Sequence, residues 1–430
     1  MTVSVITLGC KVNQFESQSM LHELEAHGYS TAPSSEHADI TIINSCAVTA
    51  VSEQKTMKLL RRIRRENPDT VLVLTGCVPQ AFPEAAQNIA EADIILGNKR
   101  RADLVPLLEE YLAGRKRLSF IEAYGRSDGY ESLDISNFAG RTRAFLKIED
   151  GCNRFCSYCI IPYARGRVRS CSYDYIAQKI QEFSKEGYKE VVLVGINLSS
   201  FGSDNGLDFV KAVETACTAS SIDRIRLGSL EPECMGLETL KRLNNLEGFC
   251  PQFHISLQSG CDATLRRMNR HYTTSDYARI VSNIRKVFDN PSVTTDVMVG
   301  FAGETDEEFS QSLRFVSDIG FAKVHIFPYS RRPGTAADKR SDHIDQDIKK
   351  RRAGLMAQAA AKGRRKFLAD QVGKTEKVLL ETRRDDENRL EGYTPNYTPV
   401  WVNTKTCGEN DIADVKITEN CEDFCLGETM

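Results

Sequence analysis

The stretch Gly151-Cys-Asn-Arg-Phe-Cys-Ser-Tyr-Cys159 places three cysteines in the spacing CxxxCxxC, directly after a short β-rich run at 145–149. Three thiolates on one short loop can hold three irons of a 4Fe-4S cube and leave the fourth iron open to a small chelating ligand. The loop therefore predicts a cluster bound by Cys152, Cys156 and Cys159. A structural zinc loop is the alternative, but a closed zinc site needs four ligands, usually in two pairs.

The open iron decides which chemistry this loop predicts. S-adenosylmethionine can chelate it through its amino and carboxylate groups, and an electron from the cluster then cleaves the sulfonium to a 5′-deoxyadenosyl radical. A radical enzyme is therefore the first interpretation of the loop.

The region after this loop repeats a strand-then-helix pattern. Together with 145–149, the predicted strands are 191–194, 222–227, 253–257, 294–299 and 324–327. Helical stretches separate them at fairly even intervals, so we expect a partial (β/α)6 barrel with its site at the C-terminal face of the strands.

The region before the loop predicts an open parallel α/β domain. Its β-rich runs at 3–9, 40–45 and 71–76 are each followed by a cysteine, at Cys10, Cys46 and Cys77, and helical stretches are expected at 14–27, 51–65 and 80–90. Taken singly, each cysteine is more typical of a buried small apolar residue. Because ligands of such sheets bind beyond the carboxyl ends of the strands, their repeated placement favours a second cluster with an open iron.

The overall organisation is α/β, with three domains expected at 1–124, 138–368 and 369–430. A polar stretch at 124–140 is the predicted linker, a long basic helix follows Ser341, and short alternating runs from Gln371 onward predict a small antiparallel β-barrel.

Composition excludes several classes of protein. The chain has 430 residues, 41% of them hydrophobic and 27% charged, and a net charge of -3. Neither a secretory signal nor an apolar run of membrane-spanning length is present in this sequence, so we expect a cytoplasmic protein without a membrane partner. Its 14 cysteines in a reducing compartment favour metal binding. The small net charge limits nucleic-acid contact to local patches.

Beyond the six cysteines, four further motifs resemble one family, the radical S-adenosylmethionine methylthiotransferases. They are Ser256-Leu-Gln-Ser-Gly260, Met268-Asn-Arg270, Gly300-Phe-Ala-Gly-Glu-Thr305 and Tyr329-Ser-Arg-Arg-Pro-Gly-Thr335. The resemblance covers nearly the whole chain. It implies an N-terminal methylthiotransferase domain, a radical core and a C-terminal TRAM domain associated with RNA binding.

The resemblance also implies the reaction. Two [4Fe-4S] clusters would replace a C–H bond with C–SCH3, one S-adenosylmethionine giving the methyl group and another the radical that abstracts hydrogen. The cluster on Cys10, Cys46 and Cys77 would be the auxiliary one, which carries the sulfur to be transferred. An electron donor such as flavodoxin or ferredoxin is expected.

Two signatures resemble one branch of the family. Leu8-Gly-Cys-Lys-Val-Asn-Gln14 and Asn44-Ser-Cys-Ala-Val-Thr49 look like the enzymes that act on threonylcarbamoyladenosine in the tRNA anticodon loop, with serine at position 45 where threonine is usual. The branches acting on isopentenyladenosine in tRNA or on a ribosomal-protein aspartate are alternatives. A metal-stabilised RNA-binding protein without catalysis is the alternative from another class.

Residues at the predicted strand ends are candidates for cofactor binding. The alternative is a structural polar role for Glu231, Ser256 and Gln258 and a plain turn for Gly300 and Gly303. The candidates are Gly195, Asn197, Glu231, Ser256, Gln258, Gly300 and Gly303.

Candidate RNA contacts are the basic run 58–65, the later basic helix, and the rings of Tyr393, Tyr397 and Trp401, each with a solvated or structural role as the alternative. Cys421 and Cys425 form a CxxxC pair that could bind metal but has no third partner nearby.

Overall fold

The computed structural model describes residues 1–33, 38–135 and 142–430. The strands are β1 Thr2–Thr7, β2 Ser30–Thr31, β3 Ile40–Ser45, β4 Val71–Gly76, β5 Ile94–Leu96, β6 Leu118–Phe120, β7 Arg143–Lys147, β8 Glu149–Asp150, β9 Arg169–Ser170, β10 Glu190–Val194, β11 Arg224–Leu227, β12 Ser229–Leu230, β13 Gln252–Ile255, β14 Ser292–Val299, β15 Lys323–Pro328, β16 Thr375–Arg384, β17 Leu390–Tyr393, β18 Pro399–Asn403, β19 Ile412–Asn420 and β20 Cys425–Thr429. The α-helices are α1 Lys11–Ala26, α2 Ala50–Glu66, α3 Cys77–Ala81, α4 Pro83–Gln87, α5 Leu104–Gly114, α6 Ile161–Arg165, α7 Tyr173–Lys185, α8 Phe209–Thr218, α9 Leu237–Asn244, α10 Asp262–Arg267, α11 Thr274–Val287, α12 Asp306–Ile319 and α13 Gln346–Ala369.

The chain divides into two compact units. The first unit comprises Met1–Asn137, Glu149–Cys171 and Ser330–Lys339. The second comprises Phe138–Ile148, Ser172–Tyr329 and Arg340–Met430. The first unit thus holds both predicted cysteine sets, and the second holds the barrel strands and the C-terminal barrel.

The first unit is built on a parallel sheet of order β2-β1-β3-β4-β5-β6. Every residue of β3 and β4 is buried, as expected of parallel strands covered on both faces. The predicted open parallel domain is therefore confirmed. The first strand ends at Thr7, two residues before its predicted end, so Leu8 and Gly9 separate it from Cys10.

The helix predicted at 80–90 is wrong as a single element. The chain instead forms α3 and α4, with a break at Phe82 (φ -132°, ψ 62°). Pro83 explains the break, because proline disfavours helical backbone in the residue before it and has no N–H to donate.

Where the structure describes the predicted linker, its residues belong to the first unit. Residues 124–135 form neither helix nor strand, but they pack on the first unit. The Arg169 guanidinium lies 4.6 Å from the centre of the Tyr124 ring, and Glu131 pairs with Arg101 at 2.6 Å. The last part of the predicted linker, 136–140, and the start of the predicted second domain at 138 lie outside the described residues.

The second unit contains the predicted partial barrel. Parallel strands form one sheet of order β11-β10-β7 and another of order β12-β13-β14-β15, and a bridge between Ile225 and Phe249 connects the two regions. The six predicted strands are present with ends shifted by one or two residues.

The C-terminal barrel is closed, with the order β16-β17-β18-β20-β19. Its pairs are antiparallel except β18 with β20. The long basic helix α13 precedes it and packs on the partial (β/α) barrel, with Lys349 donating to the Tyr329 carbonyl at 3.1 Å. Within the described ranges, every helix is too short or too polar to cross a bilayer.

A buried ion cluster joins the C-terminal barrel to the partial (β/α) barrel. Glu190 at the start of β10 accepts from Arg226 at 2.7 and 3.0 Å and lies 3.6 Å from Arg224. The same two arginines donate to backbone carbonyls of the C-terminal barrel, at Tyr393 and Pro395 among others. Burial alone would raise the pKa of Glu190, but the arginines lower it to about 2.

We predict that Glu190→Gln destabilises the protein by about 3 to 5 kcal/mol, because it leaves buried arginine charge uncompensated. The Glu190 contribution is complete above the pKa of an unfolded glutamate and is lost as pH falls through about 2. Urea denaturation should therefore show a gap between wild type and variant at pH 7 that narrows in acid.

Glu238→Gln provides the matched control. Glu238 also pairs with a cation, Lys241 at 2.8 Å, but its side chain is 82% exposed. Such a pair contributes less than about 1 kcal/mol. Equal effects of the two substitutions would contradict a structural role for the buried cluster.

Candidate functional site

The first three cysteines lie at neighbouring strand ends of the first unit. Cys10 caps α1 after β1, Cys46 directly follows β3, and Cys77 directly follows β4 and begins α3. Their strands are adjacent in the sheet, so the structure brings together three residues that are far apart in sequence.

The Cys77 thiol lies close enough to Cys46 and Cys10 to affect the ionisation of both. Burial raises the pKa of Cys46 to about 12, and negative charge on Cys77 raises it as well. The surrounding protein atoms reduce the hydration of the Cys10 thiolate and so raise the pKa of Cys10, although the residue is exposed. The positive charge of Arg165 lowers that pKa. Three thiolates here need a strongly cationic partner, which iron can supply.

Two asparagines hold the loops that carry Cys10 and Cys46. Asn13 donates to the Asn44 side chain at 3.2 Å and to the Ser45 carbonyl at 3.1 Å. Asn44 donates back to the Asn13 carbonyl at 3.0 Å. The Cys10 thiol donates to the Asn13 side-chain oxygen at 3.3 Å. Both signatures quoted from the sequence thus contain the residues that fix the cysteine loops.

Ser45 and Gly76 join the loops of Cys46 and Cys77. The Ser45 hydroxyl donates to the Thr75 carbonyl at 2.6 Å and accepts from Val78 at 3.2 Å. Gly76 has φ 98°, and a Cβ there would lie 2.5 Å from the Ser45 backbone nitrogen and oxygen. Only glycine fits this position without moving the neighbouring strand.

The second cysteine set lies in a compact loop of the same unit. Cys152 donates its backbone N–H to Gly166 at 3.0 Å, and Cys159 donates to the Cys156 carbonyl at 3.0 Å. Cys152 and Cys156 are buried, whereas Cys159 is partly exposed. At Gly151 a Cβ would lie 1.9 Å from the Arg167 carbonyl oxygen, so the turn into this loop requires glycine.

The donor sets fit iron–sulfur clusters. Each set consists of three cysteines, the ligand type of iron–sulfur clusters, and N–H groups approach two of the sulfurs: the Arg154 backbone lies 3.5 Å from Cys152 Sγ and the Arg165 Nε 3.3 Å from Cys77 Sγ. A site for one isolated metal ion is a different arrangement. Among the residues described, no three His, Cys, Asp or Glu side chains are placed to ligate a single ion in that way.

The candidate cofactor residues lie in the second unit, at or just beyond strand ends. Asn197 is buried and donates to Ser200 at 2.7 Å. Glu231 is ion-paired with the buried Arg270. Gln258 has a left-handed backbone (φ 64°) that its bonds with β14 hold in place. Gly195 directly follows β10.

Residues without a predicted role support these candidates. Tyr272 donates to the Ser256 and Leu257 carbonyls at 2.8 and 2.6 Å, and Arg270 pairs with Glu231. Arg270 belongs to the quoted segment Met268-Asn-Arg270, so its presence was visible in sequence, but its pairing with Glu231 was not.

The glycines of the segment 300–305 have a structural explanation. A Cβ on Gly300 would lie 2.4 Å from the Lys349 side chain, and one on Gly303 would lie 2.4 Å from Asp342; both have positive φ. Thr305 caps α12 in a capping box with Glu308. The chain itself thus requires these glycines, and close cofactor approach at Gly300 and Gly303 remains a prediction.

Several candidate RNA contacts are engaged within the protein. Tyr393 and Tyr397 stack at 4.6 Å, with the Arg143 guanidinium 4.9 and 5.1 Å from the two ring centres. Trp401 is 8% exposed. Arg64 donates to the carbonyls of Glu91 and Thr70 and pairs with Asp93. The structural alternative is therefore favoured for these residues.

The basic helix is also partly structural. Lys349 and Arg352 are buried, and Arg352 pairs with Glu304 at 2.7 Å. Only part of its positive charge therefore faces solvent. Near the C-terminus, Cys425 is buried and Cys421 is partly exposed.

Comparison with known proteins identifies two family regions. Residues 2–97 match the uncharacterized protein family UPF0004, and residues 146–316 match the Radical SAM superfamily. The first region contains Cys10, Cys46 and Cys77, and the second contains Cys152, Cys156 and Cys159.

Curated relatives match most of the chain. The threonylcarbamoyladenosine tRNA methylthiotransferase MtaB of Thermotoga maritima is 38% identical over 88% of this chain and 86% of its own, and that of Bacillus subtilis is 34% identical over 93% and 90%. The tRNA-2-methylthio-N(6)-dimethylallyladenosine synthase of Pelotomaculum thermopropionicum is 35% identical over 89% and 87%.

A solved structure shares the fold at low identity. The radical S-adenosylmethionine methyltransferase TsrM of Kitasatospora setae superimposes with a TM-score of 0.56 at 14% identity, covering 78% of this chain and 77% of its own. This similarity concerns the fold alone.

We predict that Gly76→Ala prevents iron binding by the first cysteine set, because the added Cβ forces the Cys77 loop away from Ser45. The measurement is iron and sulfide content after anaerobic reconstitution, which should fall by about half if two cubes are bound.

Gly28→Ala is the matched control. Gly28 also has positive φ (84°), but nothing lies within 4 Å of its Cβ position. It therefore also imposes the strain of a positive φ on a residue with a side chain, but without the clash. Iron loss in both variants would show that strain alone, rather than the contact with Ser45, explains the result.

Proposed function

This chain belongs to the radical S-adenosylmethionine tRNA methylthiotransferase family, and from that premise we propose that it inserts a methylthio group at C2 of threonylcarbamoyladenosine, the modified adenosine 3′ of the anticodon in tRNA. The observation that carries the reaction class is the presence of two three-cysteine sets in one compact unit. The relatives named for this substrate support the choice of branch.

Two clusters are part of the proposal. Cys152, Cys156 and Cys159 would hold the cluster that binds S-adenosylmethionine, and Cys10, Cys46 and Cys77 would hold the auxiliary cluster. When bound, S-adenosylmethionine would supply the carbon-centred radical and the methyl group, and the clusters would supply the electron and the sulfur atom. A structural zinc ion would need four protein ligands, whereas each set here offers three cysteines.

The protein's own residues orient the reactants. We assign cofactor contacts to Gly195, Asn197, Glu231, Ser256, Gln258, Gly300 and Gly303. Arg270 fixes the direction of the Glu231 carboxylate, and Tyr272 holds the Ser256 backbone. A carboxylate anchored in this way can bind ribose hydroxyls without losing side-chain entropy.

The anticodon loop suits this chemistry, because an unstacked loop base can enter a site without opening a duplex. Flavodoxin or ferredoxin would supply electrons, and the cytoplasm, where tRNA is modified, would be the location. A second candidate substrate is dimethylallyladenosine in tRNA, since one relative named for it is 35% identical to this chain.

Nucleoside analysis tests the substrate. A strain lacking this gene should lose methylthio-threonylcarbamoyladenosine from its tRNA and regain it when the gene is restored, because the proposal assigns insertion of the methylthio group to this protein. Mass spectrometry of digested tRNA is the measurement. Retention of that nucleoside, with loss of the methylthio form of dimethylallyladenosine, would instead support the second candidate.

Cysteine substitutions separate the two proposed clusters. Cys156→Ala should abolish cleavage of S-adenosylmethionine, whereas Cys46→Ala should permit cleavage but not sulfur insertion. The reference protein, purified without oxygen, should contain about eight irons and eight sulfides from two cubes. Cys217→Ala, outside both sets, is the control and should retain both activities. Methylthiolated product from both site variants would rule out the two-cluster assignment.

A further inference from the structure

Arg165 connects the two cysteine sets. It is the last residue of α6, which begins two residues after Cys159, yet its side chain lies at the first set. The Arg165 Nε donates to Cys77 Sγ at 3.3 Å, and its NH2 group donates to the Asn13 side chain at 3.2 Å. Asn13 in turn accepts from Cys10. The Arg165 side chain is completely buried.

An ion pair alone does not explain this arrangement. The Arg165 NH1 and NH2 groups bind the buried Glu16, which also pairs with Arg101 at 2.8 Å. The Nε–H, by contrast, is directed at sulfur. Asn98 approaches the same sulfur at 3.7 Å. Two N–H donors on one cysteine sulfur favour an electron-rich sulfur, as in a thiolate bound to iron.

The backbone around Arg165 is fixed to the Cys77 loop. Ile160 and Ala164 pack with Ala47, Cys77 and Val78 in one buried apolar cluster. Asn98 donates to the Ala164 carbonyl at 2.9 Å while it approaches Cys77 Sγ. A shift of the loop that carries Cys159 would therefore move the donor at Cys77.

We propose that Arg165 is a positioning residue for the auxiliary cluster: its Nε–H bond to Cys77 raises the reduction potential of that cluster and ties the geometry of one cysteine set to the other. This inference rests on the proposed function, which places a cluster on Cys10, Cys46 and Cys77. Hydrogen bonds to cluster sulfurs and nearby positive charge stabilise the reduced, more negative form.

The test measures the auxiliary cluster in isolation. The full-length protein carrying Cys152→Ala, Cys156→Ala and Cys159→Ala is reconstituted with iron and sulfide without oxygen and serves as reference. Arg165→Gln is added to it. The ratio of reduced to oxidised cluster, followed by electron paramagnetic resonance at the reference midpoint potential, should fall at least tenfold, which is 59 mV for one electron.

Two further variants distinguish the sulfur contact from general loss of charge. Arg101→Gln removes a buried arginine that pairs with the same Glu16 and whose connection to Cys77 runs through Asn98 rather than through a direct bond, and it should change the ratio less than threefold. Arg165→Lys keeps the charge without the guanidinium geometry and should give an intermediate shift. If Arg165→Gln does not fold, comparison of Arg165→Lys with Arg101→Gln decides.

The outcomes are separable. A reference protein with no cluster would refute the auxiliary cluster itself, and with it this inference. A cluster whose potential is the same with Arg165→Gln, or which shifts equally with Arg101→Gln, would overturn the role of Arg165 while leaving the proposed function intact.

Discussion

The register of three parallel strands determines the position of the first cysteine set. Ser45 pairs with Gly76, so Cys46 and Cys77 each follow a residue of the same pair. Thr7 pairs with Asn44, and Leu8 and Gly9 carry the chain from there to Cys10. A one-residue slip of either pairing would turn side chains to the opposite face of the sheet. Binding of one ligand by all three thiols therefore depends on this hydrogen-bonding register.

Around this edge the protein buries an unusual amount of charge. Arg165, Arg101, Glu16 and Asp150 all lie within the interior of the first unit. Arg101 lies 2.8 Å from Glu16 and 3.8 Å from Asp150, and Arg165 lies 3.7 Å from Asp150. Buried ion pairs often add little net stability, because desolvation offsets attraction. In this network the ion pairs orient the Arg165 guanidinium, so that its Nε–H faces the Cys77 sulfur.

In the second unit, the residues that bind the C-terminal barrel and the candidate cofactor residues lie at opposite ends of the strands. Arg143, Glu190 and Arg224 are the first residues of β7, β10 and β11, and they bind the C-terminal barrel or one another. The candidate cofactor residues lie at the other ends of the strands. This division is common in (β/α) barrels, where loops after the strands carry function. It also explains why Tyr393 and Tyr397 stack with arginines of the core.

The sequence by itself determined the fold class, the positions of the strands along the chain and the two sets of candidate cysteines, because strand runs, helix periodicity and CxxxCxxC spacing are local signals. It also indicated the glycines, although their reason at Gly300 is contact with Lys349, which no local pattern contains. Only the tertiary structure decided the partners of Arg165, Glu190 and Tyr397. These contacts join residues that are far apart in sequence, 36 positions for Glu190 and Arg226, 88 for Arg165 and Cys77, and 254 for Tyr397 and Arg143. Buried charges pair by proximity in three dimensions rather than by spacing along the chain.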